Sequence, residues 1–313
     1  MKIITDIAYI DRSAWKSLLD TSPYATWFQS PDAYDFYETV SHELQPFIVA
    51  VEDTGLKGIV VGYTVANKGL QRPFTARTII NGGPLLAQEI SDEALRVLMQ
   101  AVPDDAVYSE TRNFSRYDEL KVPFEQAGWM LKPHLDVLVM IDENWRNRIQ
   151  SDEQQHIRKA KQRGQTWALA QTEKDVHDWY CLLKKLYHNK IHRPLWSLDF
   201  FVKVWKSHAC QLLVVYDAHK SIIGGALLPI FGKTAYEWYK CGSVMATYSI
   251  LEWCEKEGLN CLDTMGAGEP DKPYTVRDFK LRMGGEIRSY GRFIRVQKPM
   301  RYKLGVAIVD KLL

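Results

Sequence analysis

Apolar residues along this chain change period every ten to fifteen positions, and the changes mark out elements. Ser30-Pro31-Asp32 opens a helix, with Ser30 as cap and Pro31 at the first helical position, running through Tyr34, Phe36 and Tyr37. Phe47–Val51 and Ile59–Val65 are β-branched runs around Glu52-Asp53-Thr54-Gly55, the pattern of a hairpin. A strand over Arg77–Asn81, a helix over Ser91–Val102 with a periodic apolar face, a strand over Ala106–Glu110, a helix over Tyr117–Ala127 stopped by Gly128, and a strand over Leu135–Ile141 follow. The second half repeats the order. Leu212–Tyr216 and Ile222–Ile230 flank Asp217-Ala218-His219-Lys220 as a second hairpin. Next come a strand at Ala235–Tyr239, a helix at Ala246–Lys256 closed by Gly258, a strand at Cys261–Thr264, a helix at Thr275–Met283 and a strand at Ile287–Val296. A shared order without obvious identity is the mark of an old duplication, and it predicts two domains, 1–142 and 143–313.

Between the halves, Glu143–Gly164 carries Arg146, Arg148, His156, Arg158, Lys159, Lys161 and Arg163, a basic helix or pair of helices. The rest of the chain is nearly neutral. Its formal net charge is +2, which excludes a large field for unspecific nucleic-acid binding and stable DNA binding with it. Hydrophobic residues at 46% and charged residues at 25% are those of a folded globular chain. The five cysteines have no metal-knuckle spacing and read as reduced thiols. A charge at Lys2 and another at Asp6 interrupt any signal-like apolar core, and no apolar run is as long as a membrane span, so a cytoplasmic protein is expected. His188 and His192 are four apart, but Pro194 ends that helix, and no metal site is expected.

The stretch Tyr274–Val296 carries the candidate chemistry. Thr275 is placed to cap a helix, Gly284-Gly285 to stop it, and Phe279-Lys280 lies between. Hairpin, strand, helix, strand is the order of the acetyltransferase (GNAT) fold. Two such units, the second ending in Phe279-Lys280, Gly284-Gly285 and Tyr290-Gly291, resemble the FemAB family of peptidoglycan bridge-forming aminoacyltransferases. Trp27-Phe28-Gln29-Ser30-Pro31 looks like that family's N-terminal motif, Ile157–Gly164 like its inter-domain basic helix, and Tyr236-Glu237-Trp238-Tyr239-Lys240-Cys241-Gly242 like its central strand. The resemblance implies an α+β protein of two tandem GNAT domains, each a mixed, mostly antiparallel sheet flanked by helices. It implies aminoacyl transfer from a charged tRNA to an amine of a peptidoglycan precursor, with no metal or nucleotide cofactor, and Lys280 at the reaction centre beside Phe279. Trp238, Tyr239, Asp263, Arg158, Arg193 and Arg277 are the candidate substrate contacts. Two features depart from the family: only Ser243-Val244-Met245 links Gly242 to the next helix, and there is no heptad-patterned helical arm.

Lys280 suits stabilisation of a developing oxyanion, since a positioned cation in a water-poor cleft contributes several kcal/mol there, about what an oxyanion donor supplies. The general base stays open among Asp263, Glu269, Asp271 and Asp278, or solvent. Arg193, next to Pro194 in an aromatic loop, is a candidate phosphate clamp, and Arg277 and Arg282 flank Lys280. Asn81-Gly82-Gly83-Pro84 has the glycines of a phosphate cradle, but its proline removes a donor, and a turn is expected. Two rivals remain. An acyl-CoA-dependent N-acyltransferase needs a glycine-rich pyrophosphate turn, which neither Gly242–Ala246 nor Gly82–Leu86 supplies. A non-catalytic binding protein on the duplicated fold is the third reading. The basic tail from Arg301 to Leu313 is expected to pack on the second domain, with transient membrane-surface contact as its alternative.

Overall fold

The computed structural model describes residues 1–66 and 72–312. In chain order the first half forms β1 (Lys2–Ile4), α1 (Arg12–Thr21), α2 (Pro31–Thr39), β2 (Gln45–Asp53), β3 (Gly55–Val65), α3 (Arg72–Thr75), β4 (Arg77–Gly82), β5 (Leu85–Leu86), α4 (Asp92–Gln100), β6 (Tyr108–Asn113), α5 (Lys121–Gln126), β7 (Met130–Lys132) and β8 (Leu135–Met140). The chain goes on through α6 (Trp145–Arg148), α7 (Ser151–Gln162), β9 (Thr166–Leu169), α8 (Glu173–Leu186), α9 (Leu198–Lys206), β10 (Cys210–Tyr216), β11 (Ile222–Phe231), β12 (Thr234–Tyr236) and β13 (Tyr239–Cys241). It ends with α10 (Val244–Lys256), β14 (Cys261–Gly266), α11 (Thr275–Arg282), β15 (Glu286–Ser289), β16 (Arg292–Val296) and α12 (Pro299–Leu312). The fold is α+β with two mixed sheets, each of eight strands among the described residues.

Each sheet is assembled the same way. A hairpin, β2·β3 or β10·β11, is joined by an antiparallel third strand, β4 or β12, and then by a parallel fourth, β6 or β14. A helix, α4 or α10, makes each parallel crossover, as a parallel connection requires. The strand beyond the fourth is exchanged between the halves. β8 pairs with β14 in the second sheet, and β16 pairs with β6 and β7 in the first. The compact units are therefore Met1–His134 with Ser289–Leu313, and Leu135–Arg288, in place of a division at residue 142. The single strand expected over Ile287–Val296 is two, one in each sheet, because Gly291 turns at φ 68° with its N–H on the His134 carbonyl.

The first unit's core lies between β2–β4 and helices α4 and α5, and includes Val49, Val60, Ile80, Leu95, Leu98, Phe124 and Trp129. β16 is locked into this unit by Phe293, stacked on Phe124 at 3.8 Å, and by Arg295. The Arg295 guanidinium lies 5.0 Å over Trp129 and donates to the carbonyls of Met99, Gln100, Val102 and Pro103, which closes the C-terminus of α4. The Trp27–Pro31 motif has a structural use here. Gln29 is buried, accepts the Thr26 N–H, and donates to the carbonyls of Gly82 and Gly83, whose turn has φ values of 83° and 76°. Asn81–Pro84 is thus a turn, with its carbonyls held by Gln29 and Tyr117.

The second unit's core gathers Trp145, Ile157, Leu213, Leu228, Ile250, Leu251, Trp253 and Leu262 under α7 and α10. The basic segment is a pair of helices, α6 and α7, and Arg146 and Lys161 pair with Glu255 and Glu252 of α10. α10 begins at Val244 rather than Ala246, so Ser243 follows Gly242 directly as its cap. Helix α11 starts one residue earlier than its expected cap allows: Tyr274 occupies the cap position and Thr275 the first turn. Its end is the one expected. Gly284 takes φ 87°, its N–H reaches the Leu281 carbonyl, and the Gly285 N–H reaches the Lys280 carbonyl, the paired bonds of a Schellman ending. Gly285 also lies against β8, where a Cβ would come 2.3 Å from Val137 Cγ1 and 2.8 Å from the Lys280 carbonyl oxygen. Gly285→Ala is expected to lower the unfolding midpoint in denaturant, by about 1–3 kcal/mol of overpacking. An unchanged midpoint refutes the close contact.

Candidate active site

The site is built where two parallel strands part. β12 and β14 hold the register Thr234↔Cys261, Ala235↔Leu262 and Tyr236↔Asp263, and the Glu237 N–H adds a last rung to the Asp263 carbonyl at 2.9 Å. From Trp238 the chain turns away. Trp238 N–H donates to Leu227, and β13 pairs with β11 through Tyr239↔Leu227 and Lys240↔Ala226. The run expected as one strand over Ala235–Tyr239 is therefore broken at Glu237–Trp238, and a wedge opens between β13 and β14. In the first unit the corresponding pair, β4·β6, keeps six rungs from Arg77↔Tyr108 to Gly82↔Asn113.

β14 carries a bulge on its side of the wedge. Against β8 the register runs Asp263↔Leu138 and then Gly266↔Asp136, so three steps face two. Met265 takes up the extra residue at φ 60°, a left-handed conformation uncommon for a residue with a side chain. Its N–H donates to Asp263 Oδ1 at 2.7 Å, and Thr264 Oγ1 donates to the Val137 carbonyl at 2.7 Å. The bulge aims three successive carbonyls at one point, and Lys280 Nζ occupies it: 2.6 Å to Thr264, 3.0 Å to Met265 and 3.0 Å to Gly266. Lys280 is 6% exposed. Burial pulls its pKa down, with Lys240 in the same direction, while Glu237, Asp136 and Asp263 oppose. A neutral amine has two protons for three acceptors, so the ammonium is the form that satisfies the nest.

The carboxylates are buried around that cation. Asp263 is raised to about 7: burial is the main cause and Glu237 adds to it, against the Met265 N–H bond and the Lys280 charge. Glu237 places Oε1 2.8 Å from Lys240 Nζ, which also donates to Thr247 Oγ1 at 2.8 Å and lies 5.2 Å over the Phe279 ring. Glu237 Oε2 is buried with no hydrogen-bond partner. Half-buried aromatics flank the wedge. Tyr239 meets Phe201 edge-on at 5.1 Å and Tyr187 at 6.3 Å, and Trp238 meets Phe200 at 5.7 Å, with Trp196 stacked on that ring. Tyr187 begins a π-turn, Tyr187–Ile191, of the kind that often marks functional sites.

The residues expected from sequence separate into two groups. Lys280, Phe279, Asp263, Trp238 and Tyr239 meet at or beside the wedge. Arg277 does not have a free guanidinium: it donates to the carbonyls of Ala267, Glu269 and Lys272 and ties down the loop before α11, a structural use. Arg158 is exposed on α7, whose buried positions are Glu153, Ile157 and Ala160. Arg193 is exposed in the loop after the π-turn. Of the four candidate bases, Glu269, Asp271 and Asp278 are exposed, and Asp263 alone is buried. Glu237, Lys240 and Asp136 were not singled out from sequence. A signal was present for the first two, charged residues inside the otherwise apolar and aromatic run Ala235–Cys241. The five cysteines are free thiols, four of them buried.

No protein-family model matches the chain, and no curated protein sequence matches it. Solved structures do. FemX superposes over 97% of this chain and 99% of its own, with a TM-score of 0.69 and 14% identity. L-PGS from Bacillus licheniformis does so over 94% and 95%, at 0.59 and 11%. A GCN5-related glucosamine N-acetyltransferase region of a fungal multi-domain β-N-acetylglucosaminidase matches over 94% of this chain and 38% of that one, at 0.54 and 10%. At these identities the likeness is one of fold: this chain has the tandem GNAT architecture shared by FemX and L-PGS.

Proposed function

We propose that the protein is an aminoacyltransferase that moves an amino acid from aminoacyl-tRNA to an amine of a peptidoglycan precursor, with its reaction centre in the wedge of the second unit. The observation that carries this is the buried Lys280 nest between parted parallel strands, with Asp263 and Glu237 beside it. The motif resemblance to the FemAB family and the fold shared with FemX over nearly the whole chain support the donor and acceptor classes. The missing pyrophosphate turn speaks against acyl-CoA, and Ser243 already caps the helix that would receive it, accepting from Met245 N–H. Acyl transfer from acyl-CoA is the second reading, because the same fold is shared with an acetyltransferase region.

In this mechanism the acceptor amine attacks the ester carbonyl of the donor. A C–N bond forms, the amine proton passes to the Asp263 carboxylate, and a tetrahedral oxyanion develops. Collapse breaks the ester C–O bond, and Asp263 returns the proton to the leaving ribose oxygen. A carboxyl near pH 7 suits both steps. Lys280 acts through its charge. Its three protons are engaged by carbonyls, so it stabilises the oxyanion by its field in a water-poor wedge.

Three outcomes are expected. Purified protein given radiolabelled aminoacyl-tRNA, acetyl-CoA and a muropeptide precursor should label the precursor from the tRNA, and label from the thioester alone overturns the donor assignment. Lys280→Met should lower transfer at least about tenfold and also lower the unfolding midpoint, since it leaves three carbonyls without a donor. Transfer that survives at unchanged stability removes Lys280 from the mechanism. Finally, carbon-13 NMR of aspartate carboxyls should show one group titrating near 7 that is lost in Asp263→Asn. Because that carboxyl binds its proton more tightly folded than unfolded, stability should fall as pH rises from about 4 to 7, and the variant should flatten that slope.

A further inference from the structure

Glu237 is a wedge carboxylate with a defined shortfall. It is 8% exposed. Lys240 takes Oε1, and Oε2 has no donor. A buried carboxylate oxygen without a donor is costly unless something supplies the proton. The groups around it decide what that donor is. Three carboxylates, Glu237, Asp263 and Asp136, act electrostatically on Lys280, and Lys240 acts on it as a second cation. If all are ionised, two ammoniums face three carboxylates, so one further positive charge balances the wedge. Trp238 and Tyr239 follow Glu237 directly in the chain, with ring centroids 5.5 Å apart.

We infer that Glu237 Oε2 receives the α-ammonium of the aminoacyl donor, and that this contact selects an aminoacyl ester over an acyl group that lacks the amine. The inference rests on the aminoacyl-transfer reading and adds to it the residue that reads the donor. Lys240, held by Thr247 Oγ1 as well as by Glu237, is the positioning residue: it fixes one carboxylate oxygen and leaves the other, buried beside it, without a donor. The α-amine bound in this way is not the nucleophile, so holding it protonated does not slow attack by the acceptor amine. Burial is the main cause that raises Asp263, and Glu237 adds to it; a cation bound at Glu237 offsets that second contribution, so the base is more fully ionised when the correct donor is in place.

The test uses the full-length protein and two stable mimics of the acylated 3′ end of tRNA, 3′-(alanylamino)-3′-deoxyadenosine and its lactoyl analogue, with a hydroxyl in place of the amine. Wild type should bind the alanyl compound about 10- to 100-fold more tightly by titration calorimetry, the range of one hydrogen bond to a charged group. Glu237→Gln, with its melting curve checked, should erase that preference and leave lactoyl binding unchanged. Equal binding of the two by wild type, or a preference that persists in Glu237→Gln, overturns the role of Glu237 and leaves the aminoacyl reading standing. Binding of neither compound overturns the aminoacyl reading and this inference together. A measurement on wild type alone covers the case in which the variant fails to fold. The ammonium of the 15N-labelled alanyl compound should titrate at higher pH when bound than when free, and an unmoved pKa overturns the inference.

Discussion

Three consecutive carbonyls of one strand converge on one buried ammonium, and the rest of the second unit's site follows from that requirement. Regular β-structure points alternate carbonyls to opposite sides, so Thr264, Met265 and Gly266 reach Lys280 together only because the strand carries an extra residue. The extra residue takes a left-handed backbone at Met265, and the Asp263 carboxylate holds it there through the Met265 N–H. The ammonium must also arrive from a fixed direction. Gly284 and Gly285 end α11 one turn after Lys280 and seat it on Val137 with no side chain between. Bulge, carboxylate, lysine and glycine pair are one arrangement, joined contact by contact.

The two units show what the charge balance around a buried carboxylate decides. Glu110 in the first unit and Asp263 in the second both lie on the parallel fourth strand, and burial pushes both towards the neutral acid. Glu110 has Arg112, Arg292 and Arg77 around it and is held down to about 2. Asp263 has one ammonium, itself shared with other carboxylates, and stays raised. Guanidiniums in excess make a fixed ion cluster, and in the first unit the parallel pair remains zipped over its six rungs. Carboxylates in excess leave a proton that moves near neutrality, and in the second unit the pair is parted. Two units of like topology thus differ at this point, one pair closed and the other parted.

Much of the architecture is legible in the chain itself. The hairpins, the helix over Asp92–Gln100 with its Ser91 cap, and the stop at Gly284-Gly285 follow from local patterns, because turns, caps and amphipathic faces are decided within a few residues. What was not legible depends on distant pairing. Whether Leu135–Met140 joins the first or the second sheet is decided by β14, more than a hundred residues later, and nothing in its apolar run distinguishes the two partners. The short helices and strands outside the repeat, such as α1 and β9, likewise take their shape from packing. In the site, Phe279-Lys280 is marked by its place between a helix start and the Gly284-Gly285 stop and by resemblance, and Asp263 is one of four carboxylates. Burial, which separates Asp263 from Glu269, Asp271 and Asp278, is a property of the folded sheet.

The same reasoning separates the arginines from the lysines of the site. Arg277 flanks Lys280 in sequence, and a guanidinium near a reaction centre suggests an anion clamp. Its planar fork instead meets three carbonyls of the loop 267–272, a geometry that a wide, multi-donor cation fits and a compact one does not. Lys280 is the compact one, and the nest at the bulge holds a single point charge with three acceptors at 2.6–3.0 Å. Exchanging the two residue types would leave donors unmatched at the bulge and carbonyls unmatched in the loop. The positive charge available to chemistry in the wedge therefore comes from Lys280 and Lys240, and the arginine nearest in sequence acts to keep the loop that precedes α11 in place.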